Sequence, residues 1–474
     1  MPRILMVASE STPFIKTGGL ADVMGALPPA LARLGEQAAV VLPWYRGARV
    51  ESSRRVLDEF TVWLGRNPYR VRVHESVVRG APYFLVQCDE LYGRDGVYFD
   101  QKGDFPDNHI RFALLNKAAL AVARWIFRPD IVHAHDWQGS LAPVYLRTIL
   151  AGDPVFAGVK TVLTIHNLGY QGLFPANTLP EIGLDRSAFH MAGVEYFGQV
   201  NLLKGGICYS DALTTVSKAY AREIQTPEYG HGLEGLLASR SGVLTGILNG
   251  ADDSDWDPQT DRYIPARYSA LCLDGKRECK RGLLKELGFP AEALQRPLVG
   301  MVSRLVSQKG FDLIEAAAGD LLACDLSLAV LGTGEERYER FLRGLAQAHP
   351  SRVAVRISYD NPLAHRIEAG ADIFLMPSRY EPCGLNQIYS LRYGTVPVVR
   401  ATGGLDDTID EEVGFKFLDY SAPAMMEALR KALDTYQRRD VWESLVRNGM
   451  ARDYSWDASA SQYSALYRRL ALAS

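Results

Sequence analysis

Short apolar runs alternate along this chain with longer segments whose apolar residues recur at helical spacing. Residues 4–8 form the first run, continuous enough for a strand buried on both faces. Similar runs at 39–42, 83–87, 131–133, 161–165 and 212–216 predict further strands. Leu20, Val23, Met24, Leu27, Leu31 and Leu34 mark one face of a helix, and 110–126 and 141–150 read as helices. Pro28 and Pro29 fall inside the first helical pattern and are expected to kink or interrupt it.

The pattern restarts after a polar stretch at 249–268, which carries acids, turn residues and two prolines and reads as a linker or irregular excursion. Strands are expected at 298–302, 326–331, 353–357, 373–376 and 396–399, with helices at 311–322, 335–349 and 363–369. Tyr463, Leu466, Tyr467 and Leu470 give the last segment a helical face. Strand–helix alternation in both halves predicts an α/β protein of two Rossmann-like, doubly wound lobes facing a deep cleft. The expected division is 1–244, 245–455, and a terminal helix at 456–474 that packs back on the first lobe. In open α/β sheets ligands bind at the carboxyl ends of strands, so functional residues are expected in the loops just after them.

Composition narrows the function classes. The 474 residues carry 52 Lys and Arg against 55 Asp and Glu, a net charge of −3, which excludes a dominant polybasic binder of nucleic-acid polymer or membrane surface but not a local cationic pocket. No apolar run is long enough to span a bilayer, so no membrane partner is expected. Six scattered cysteines without a CxxC pair give no disulfide framework or structural zinc site. The opening MPRILMVASE lacks an apolar signal core, so a soluble, reducing, cytoplasmic setting is expected.

Six motifs follow expected strands. Lys16-Thr17-Gly18-Gly19-Leu20 opens a helix, and adjacent glycines there let backbone N–H groups approach an anion, with Lys16 adding charge; a tight turn is the plain alternative. Thr402-Gly403-Gly404-Leu405 repeats the TGGL letters, with Asp22 and Asp407 at the same offset, and suggests a second anion nest. Arg304 and Lys309, in the loop after 298–302, form a cation pair suited to a diphosphate or, alternatively, two solvated surface charges. Glu381 precedes Pro382-Cys383-Gly384-Leu385 after 373–376 and is suited to accept from sugar hydroxyls; no nearby histidine supports Cys383 as a nucleophile. His133-Ala134-His135-Asp136 has metal-ligand spacing, which leaves a metal-dependent hydrolase open, although further ligands are hard to find among nine histidines. The sixth is His166-Asn167-Leu168. Asp253-Ser254-Asp255 is similar to a metal-binding DxD but reads better as a solvated acidic turn.

Taken together, KTGGLADV, HAHDW, TIHNLGYQG, NGAD, SRLVSQKG, PSRYEPCGL and RYGTVPVVRATGGL resemble one family, the bacterial glycogen synthases and plant starch synthases, in order from residue 16 to 405. The resemblance implies the two-lobed GT-B fold. It also implies transfer of glucose from ADP-glucose to the non-reducing end of an α-1,4-glucan (glycogen or a malto-oligosaccharide), with retention of configuration. By that resemblance Lys16, Gly18 and Gly19 meet the donor diphosphate from the first lobe, and Arg304 and Lys309 neutralise it from the second, so that no metal and no cofactor are expected. Glu381, with the backbone of Cys383, Gly384 and Leu385, holds the glucose hydroxyls. Asp136 and His166 line the sugar and acceptor side, Asn249 adds a glucose contact, Tyr359 stacks on adenine, and Thr402, Gly403 and Gly404 belong to the donor site. The wider retaining superfamily carries Glu-x7-Glu, whereas position eight after Glu381 is Tyr389, a loss shared by glycogen and starch synthases. UDP-glucose remains the alternative donor, and a catalytically silent glucan-binding protein the alternative outside enzymes.

Overall fold

Each apolar run expected as a strand forms one, in two separate sheets, the first mixed and the second all-parallel. The computed structural model describes residues 1–252 and 255–472, so Asp253 and Ser254 of the acidic DxD lie outside the described residues. The chain divides into two units. The first comprises Met1–Val216, Ala221–Gly250 and the chain from Trp456 onward; the second comprises Ser217–Tyr220 and Ala251–Ser455.

The first unit is built on a nine-stranded sheet. Its spatial order is Leu244–Gly246, Ala212–Thr215, Lys160–Ile165, Ile131–His135, Arg3–Val7, Gln37–Pro43, Ala81–Gln87, Asn67–Val78 and Arg54–Leu64. The first seven run parallel and the last two add an antiparallel hairpin. Strand order reverses between Arg3–Val7 and Ile131–His135, which pair from Ile4 with Ile131 to Val7 with Ala134. That reversal is the crevice where a doubly wound sheet takes its ligand. The hairpin was not expected from the apolar pattern, because Arg54, Arg70 and Arg72 alternate along it and pair with Glu59 and Glu75 on its exposed face.

Helix Gly19–Arg33 covers the sheet with Leu20, Val23, Met24, Leu27 and Leu31 buried. Of the expected kink or interruption at Pro28 and Pro29, the interruption does not occur: the helix continues through both. Proline at 28 removes the N–H that would bond the Met24 carbonyl. The Tyr83 hydroxyl, arriving from the sheet, donates to that carbonyl at 2.7 Å instead. Tyr83→Phe is therefore expected to destabilise the fold by about 1–2 kcal/mol through an unsatisfied buried carbonyl. Pro28→Ala should shrink that loss, because it restores the helical donor; equal losses in both backgrounds by urea unfolding would refute the account. Helix Trp456–Leu472 lies against helix Gly19–Arg33 and completes the same core with Trp456, Tyr463 and Tyr467.

The second unit holds a six-stranded, all-parallel sheet. Its order is Val353–Arg356, Ser327–Leu331, Leu298–Val302, Ile373–Met376, Val396–Arg400 and Phe415–Phe417. Numbered along the chain, this is the 3-2-1-4-5-6 order of a dinucleotide-type fold. Order reverses between Leu298–Val302 and Ile373–Met376. The expected helix at 311–322 is two short helices that meet at Ala317, and the others lie at Glu336–Ala348 and Asn361–Gly370. The stretch read as a linker is irregular, with Asp255, Gln259 and Arg262 exposed, but it also contributes side chains to the core of the second unit. Trp256 stacks between Tyr389 (4.2 Å between centroids) and His365 (3.7 Å), while buried Asp261 accepts from the Tyr393 hydroxyl at 2.6 Å and pairs with His365 at 2.8 Å. Among the described residues no helix is long and apolar enough to cross a membrane.

Candidate functional site

In the second unit, the loops that follow the two central strands meet at the reversal of strand order. The first runs from Ser303 into the turn Ser307–Lys309, and the second from Pro377 to the helix Asn386–Arg392. The Arg379 N–H donates to the Gln308 carbonyl at 2.8 Å, and the Asn386 side chain reaches the Val302 carbonyl at 2.6 Å. Gly310 between them has φ +79°, and a Cβ there would overlap the Pro377 carbonyl, so only glycine lets the loops close up. The result joins Lys309 to Glu381 in an ion pair that is mostly buried, with Ser378 donating to the same carboxylate oxygen at 3.2 Å. Arg304 stands exposed on the same loop, 3.4 Å from the Gln308 side-chain oxygen. Cys383 is buried, and Gly384 has φ +70°. A cation and a carboxylate fixed side by side at a strand reversal can bind an anionic group and a hydroxylated group of one ligand.

The second TGGL holds protein backbone. Gly404 N–H is within 3.1 Å of the carbonyls of Glu381 and Pro382, and a Cβ on Gly403 or Gly404 would overlap the Glu381 or Cys383 carbonyl. The expected anion nest is thus a seat for the Glu381 segment, and helix Gly403–Thr408 is too short to add much of a dipole. Tyr359 follows strand Val353–Arg356 and is 87% exposed, open to stacking. Tyr389, at the position of the missing second carboxylate, is occupied by its stack with Trp256.

In the first unit the same logic places Glu10 and Asp136 at the reversal, each just past a central strand. Sequence reasoning overlooked Glu10, although an acid at a strand's carboxyl end was the available signal. Its Oε2 accepts from the Thr17 hydroxyl at 2.7 Å and from the N–H groups of Thr17 and Gly18, and its Oε1 from Tyr98 at 3.3 Å. Burial raises the Glu10 pKa, and these hydrogen bonds oppose the rise. The expected anion nest at 16–19 therefore already holds a carboxylate of this chain, and Lys16 pairs with Asp22 at 2.8 Å. Gly19 faces open space.

Asp136 begins a short helix with φ +52°, a strained backbone for a residue other than glycine. Its Oδ1 accepts the N–H groups of His166 at 2.7 Å and Asn167 at 3.4 Å. Burial pushes its carboxyl up to about 7, despite those two bonds. His133 is a core imidazole, with Nδ1 bonded to the Tyr467 hydroxyl at 2.7 Å and Nε2 to Thr164 at 2.6 Å. His135 pairs with His166 at 3.0 Å. Among the described residues no group of three or more His, Cys, Asp and Glu is arranged to hold a metal. Asn249 is buried after strand Leu244–Gly246, and its Oδ1 has no hydrogen-bond partner among the described residues.

The chain matches two family profiles, one described as the starch synthase catalytic domain over residues 3–239 and one as glycosyl transferases group 1 over residues 287–448. It is 49% identical over 476 residues to a glycogen synthase of Koribacter versatilis, covering 98% of each chain. It is 49% identical over 485 residues to a glycogen synthase of an Anaeromyxobacter strain, covering 99% of each. Among solved structures, the catalytic domain of starch synthase IV from Arabidopsis thaliana, bound to ADP and acarbose, superposes with a TM-score of 0.90 at 32% identity over 99% of both chains. Sucrose-phosphate synthase from Thermosynechococcus elongatus, at 18% identity, over the whole of both chains and with a TM-score of 0.60, shares the two-lobed GT-B fold. With both halves matched by glycosyltransferase profiles and relatives similar along its whole length, this chain belongs to the glycogen and starch synthase family of glycosyltransferases.

Proposed function

We propose that this enzyme transfers glucose from ADP-glucose to the non-reducing end of an α-1,4-glucan, with retention of configuration and release of ADP. The observation that carries the proposal is the Lys309–Glu381 pair at the strand reversal of the second unit, with Arg304 on the same loop. Lys309 and Arg304 bind the donor diphosphate and neutralise the charge that develops as it leaves. Lys309 has three N–H donors, so it can serve phosphate oxygens while it holds Glu381. Glu381 and the backbone of Cys383, Gly384 and Leu385 bind the glucose hydroxyls, the exposed Tyr359 ring stacks on the base, and Asn249 offers its unpartnered oxygen to glucose. Thr402, Gly403 and Gly404 contribute by seating Glu381. In the first unit Lys16, Gly18 and Gly19 also serve the diphosphate, which requires phosphate to exchange for Glu10 at the Gly18 N–H. ADP as the leaving group is supported by the ADP held in the Arabidopsis relative.

In the reaction the bond from the anomeric carbon to the β-phosphate oxygen breaks, and a bond from that carbon to the acceptor 4-oxygen forms on the same face. The acceptor proton passes to a phosphate oxygen of the departing ADP. No second carboxylate stands at position 389 to act as a nucleophile in the two-carboxylate manner. Asp136 and His166 line the sugar and acceptor side.

The test supplies ADP-glucose or UDP-glucose at equal concentration with glycogen as acceptor. ADP-glucose is expected to turn over faster, and the product to contain new α-1,4 linkages by proton NMR. Faster turnover of UDP-glucose would overturn the donor assignment, and β-linkages the stereochemistry.

A further inference from the structure

Three imidazoles lie in a row beneath the candidate site of the first unit. The His133 and His135 rings are 4.2 Å apart and the His135 and His166 rings 5.3 Å, the latter two stacked at 30°. His133 has both nitrogens bonded, to Tyr467 and Thr164, and so makes no demand on His135. His135 is wholly buried, with Nδ1 against His166 Nε2 at 3.0 Å and with Nε2 buried without a partner. Burial lowers the pKa of all three rings, to about 3 for His133 and His166 and well below the usual value for His135, so each is a neutral imidazole with one N–H.

Two arrangements of the shared hydrogen bond are open, and they differ in cost. If His166 donated through Nε2, the single proton of His135 would sit on its Nε2, a buried donor without an acceptor. If His135 donates through Nδ1, its buried Nε2 is only an unused lone pair. An orphaned buried donor is the rarer and costlier of the two. The second arrangement leaves His166 Nε2 as acceptor and puts its proton on Nδ1. His166 is half-buried, and Nδ1 is the nitrogen turned away from His135, without a protein partner among the described residues.

We infer that His135 is a positioning residue that fixes His166 as the Nδ1–H tautomer, so that His166 presents a hydrogen-bond donor, and not an acceptor, to a sugar hydroxyl oxygen of the substrate. The role of that donor rests on the proposed glucosyl transfer; the tautomer itself does not. Asp136 holds the His166 backbone through its N–H, so backbone and ring are fixed by different partners.

Two-bond nitrogen–proton correlation spectra of protein labelled with 15N-histidine read the tautomer directly, with His166→Ala assigning the signals. The expected result is a pyrrole-type Nδ1 and a pyridine-type Nε2 at His166 in the unliganded protein. A pyrrole-type Nε2 would overturn the inference without any activity measurement. For function, the amide of His135→Asn keeps an N–H near the place of Nδ1, whereas His135→Leu keeps only bulk. The Asn variant is expected to retain kcat within about threefold, and the Leu variant to lose on the order of 10- to 100-fold in kcat, with a smaller change in donor KM. The His166 signals of the Leu variant should show the other tautomer or a mixture. Wild-type signals and wild-type kcat in His135→Leu would sink the positioning role. If the wild-type protein transferred no glucose from any nucleotide sugar, the functional reading would fail while the tautomer result stood.

Discussion

Lys309→Ala is expected to lower kcat by about 10²- to 10³-fold, the loss typical of removing a group aimed at developing transition-state charge. Lys309 and Glu381 are both largely buried, and the ammonium is the only cation bonded to that carboxylate among the described residues. Removing it therefore does two things: it deletes positive charge from the proposed diphosphate site, and it leaves Glu381 with Ser378 as its remaining side-chain partner. The second effect costs stability, about 1–3 kcal/mol for a buried charged group that loses its partner. A double-mutant cycle separates the two. In a Glu381→Gln background the carboxylate no longer needs the lysine, so a lysine that merely held Glu381 in place would become dispensable. If the diphosphate role is right, Lys309→Ala still lowers kcat strongly in that background, although the two losses fall short of additive because the residues touch. Steady-state kinetics with ADP-glucose and glycogen, alongside thermal melts, check both parts. A Lys309→Ala enzyme within threefold of wild type would remove Lys309 from the mechanism.

The residues that were readable in the sequence are those whose environment is set locally. Strands such as Leu298–Val302 and Ile373–Met376 are covered on both faces, so an unbroken apolar run identifies them, and the loops that follow inherit their place at the strand ends. Lys309 and Glu381 were found by that logic, 72 positions apart in the chain. The misses all depend on partners that a local pattern does not show. Pro28 is tolerated because of a hydroxyl on Tyr83, brought in by a different strand. The hairpin Arg54–Leu64 and Asn67–Val78 pairs arginines with glutamates on a wet face, which reads as loop. The two TGGL segments share four letters and differ in role: one wraps the carboxylate of Glu10, and the other seats the carbonyl of Glu381. Four letters specify a turn able to approach an acceptor closely, and the fold decides which acceptor arrives.

Asp136→Asn is expected to reduce turnover on the order of 10²-fold and to change how both activity and stability depend on pH. The carboxyl, 3.8 in its ordinary state, is pushed up to about 7 by burial, against the two backbone N–H bonds from His166 and Asn167. Near neutral pH it is therefore divided between acid and anion. In the proposed reaction the sugar ring gains positive charge as ADP departs, and an anion beside it stabilises that charge whereas a neutral acid does not. Wild-type kcat should then fall as the pH drops through about 7, and the variant should lack that limb. Stability runs the other way. Between about 4 and about 7 the folded protein holds a proton on Asp136 that the unfolded chain has lost, so this group's contribution to stability falls as pH rises through that window. Asparagine accepts the same two N–H bonds and tolerates φ +52° at least as well as aspartate, so the local backbone is kept. Relative to wild type, Asp136→Asn should gain stability at pH 8 compared with pH 5, read as the difference in Tm between variant and wild type at each pH. A variant with the wild-type acid limb and a Tm difference constant from pH 5 to pH 8 would show that Asp136 does not titrate in this range and does not act as the anion.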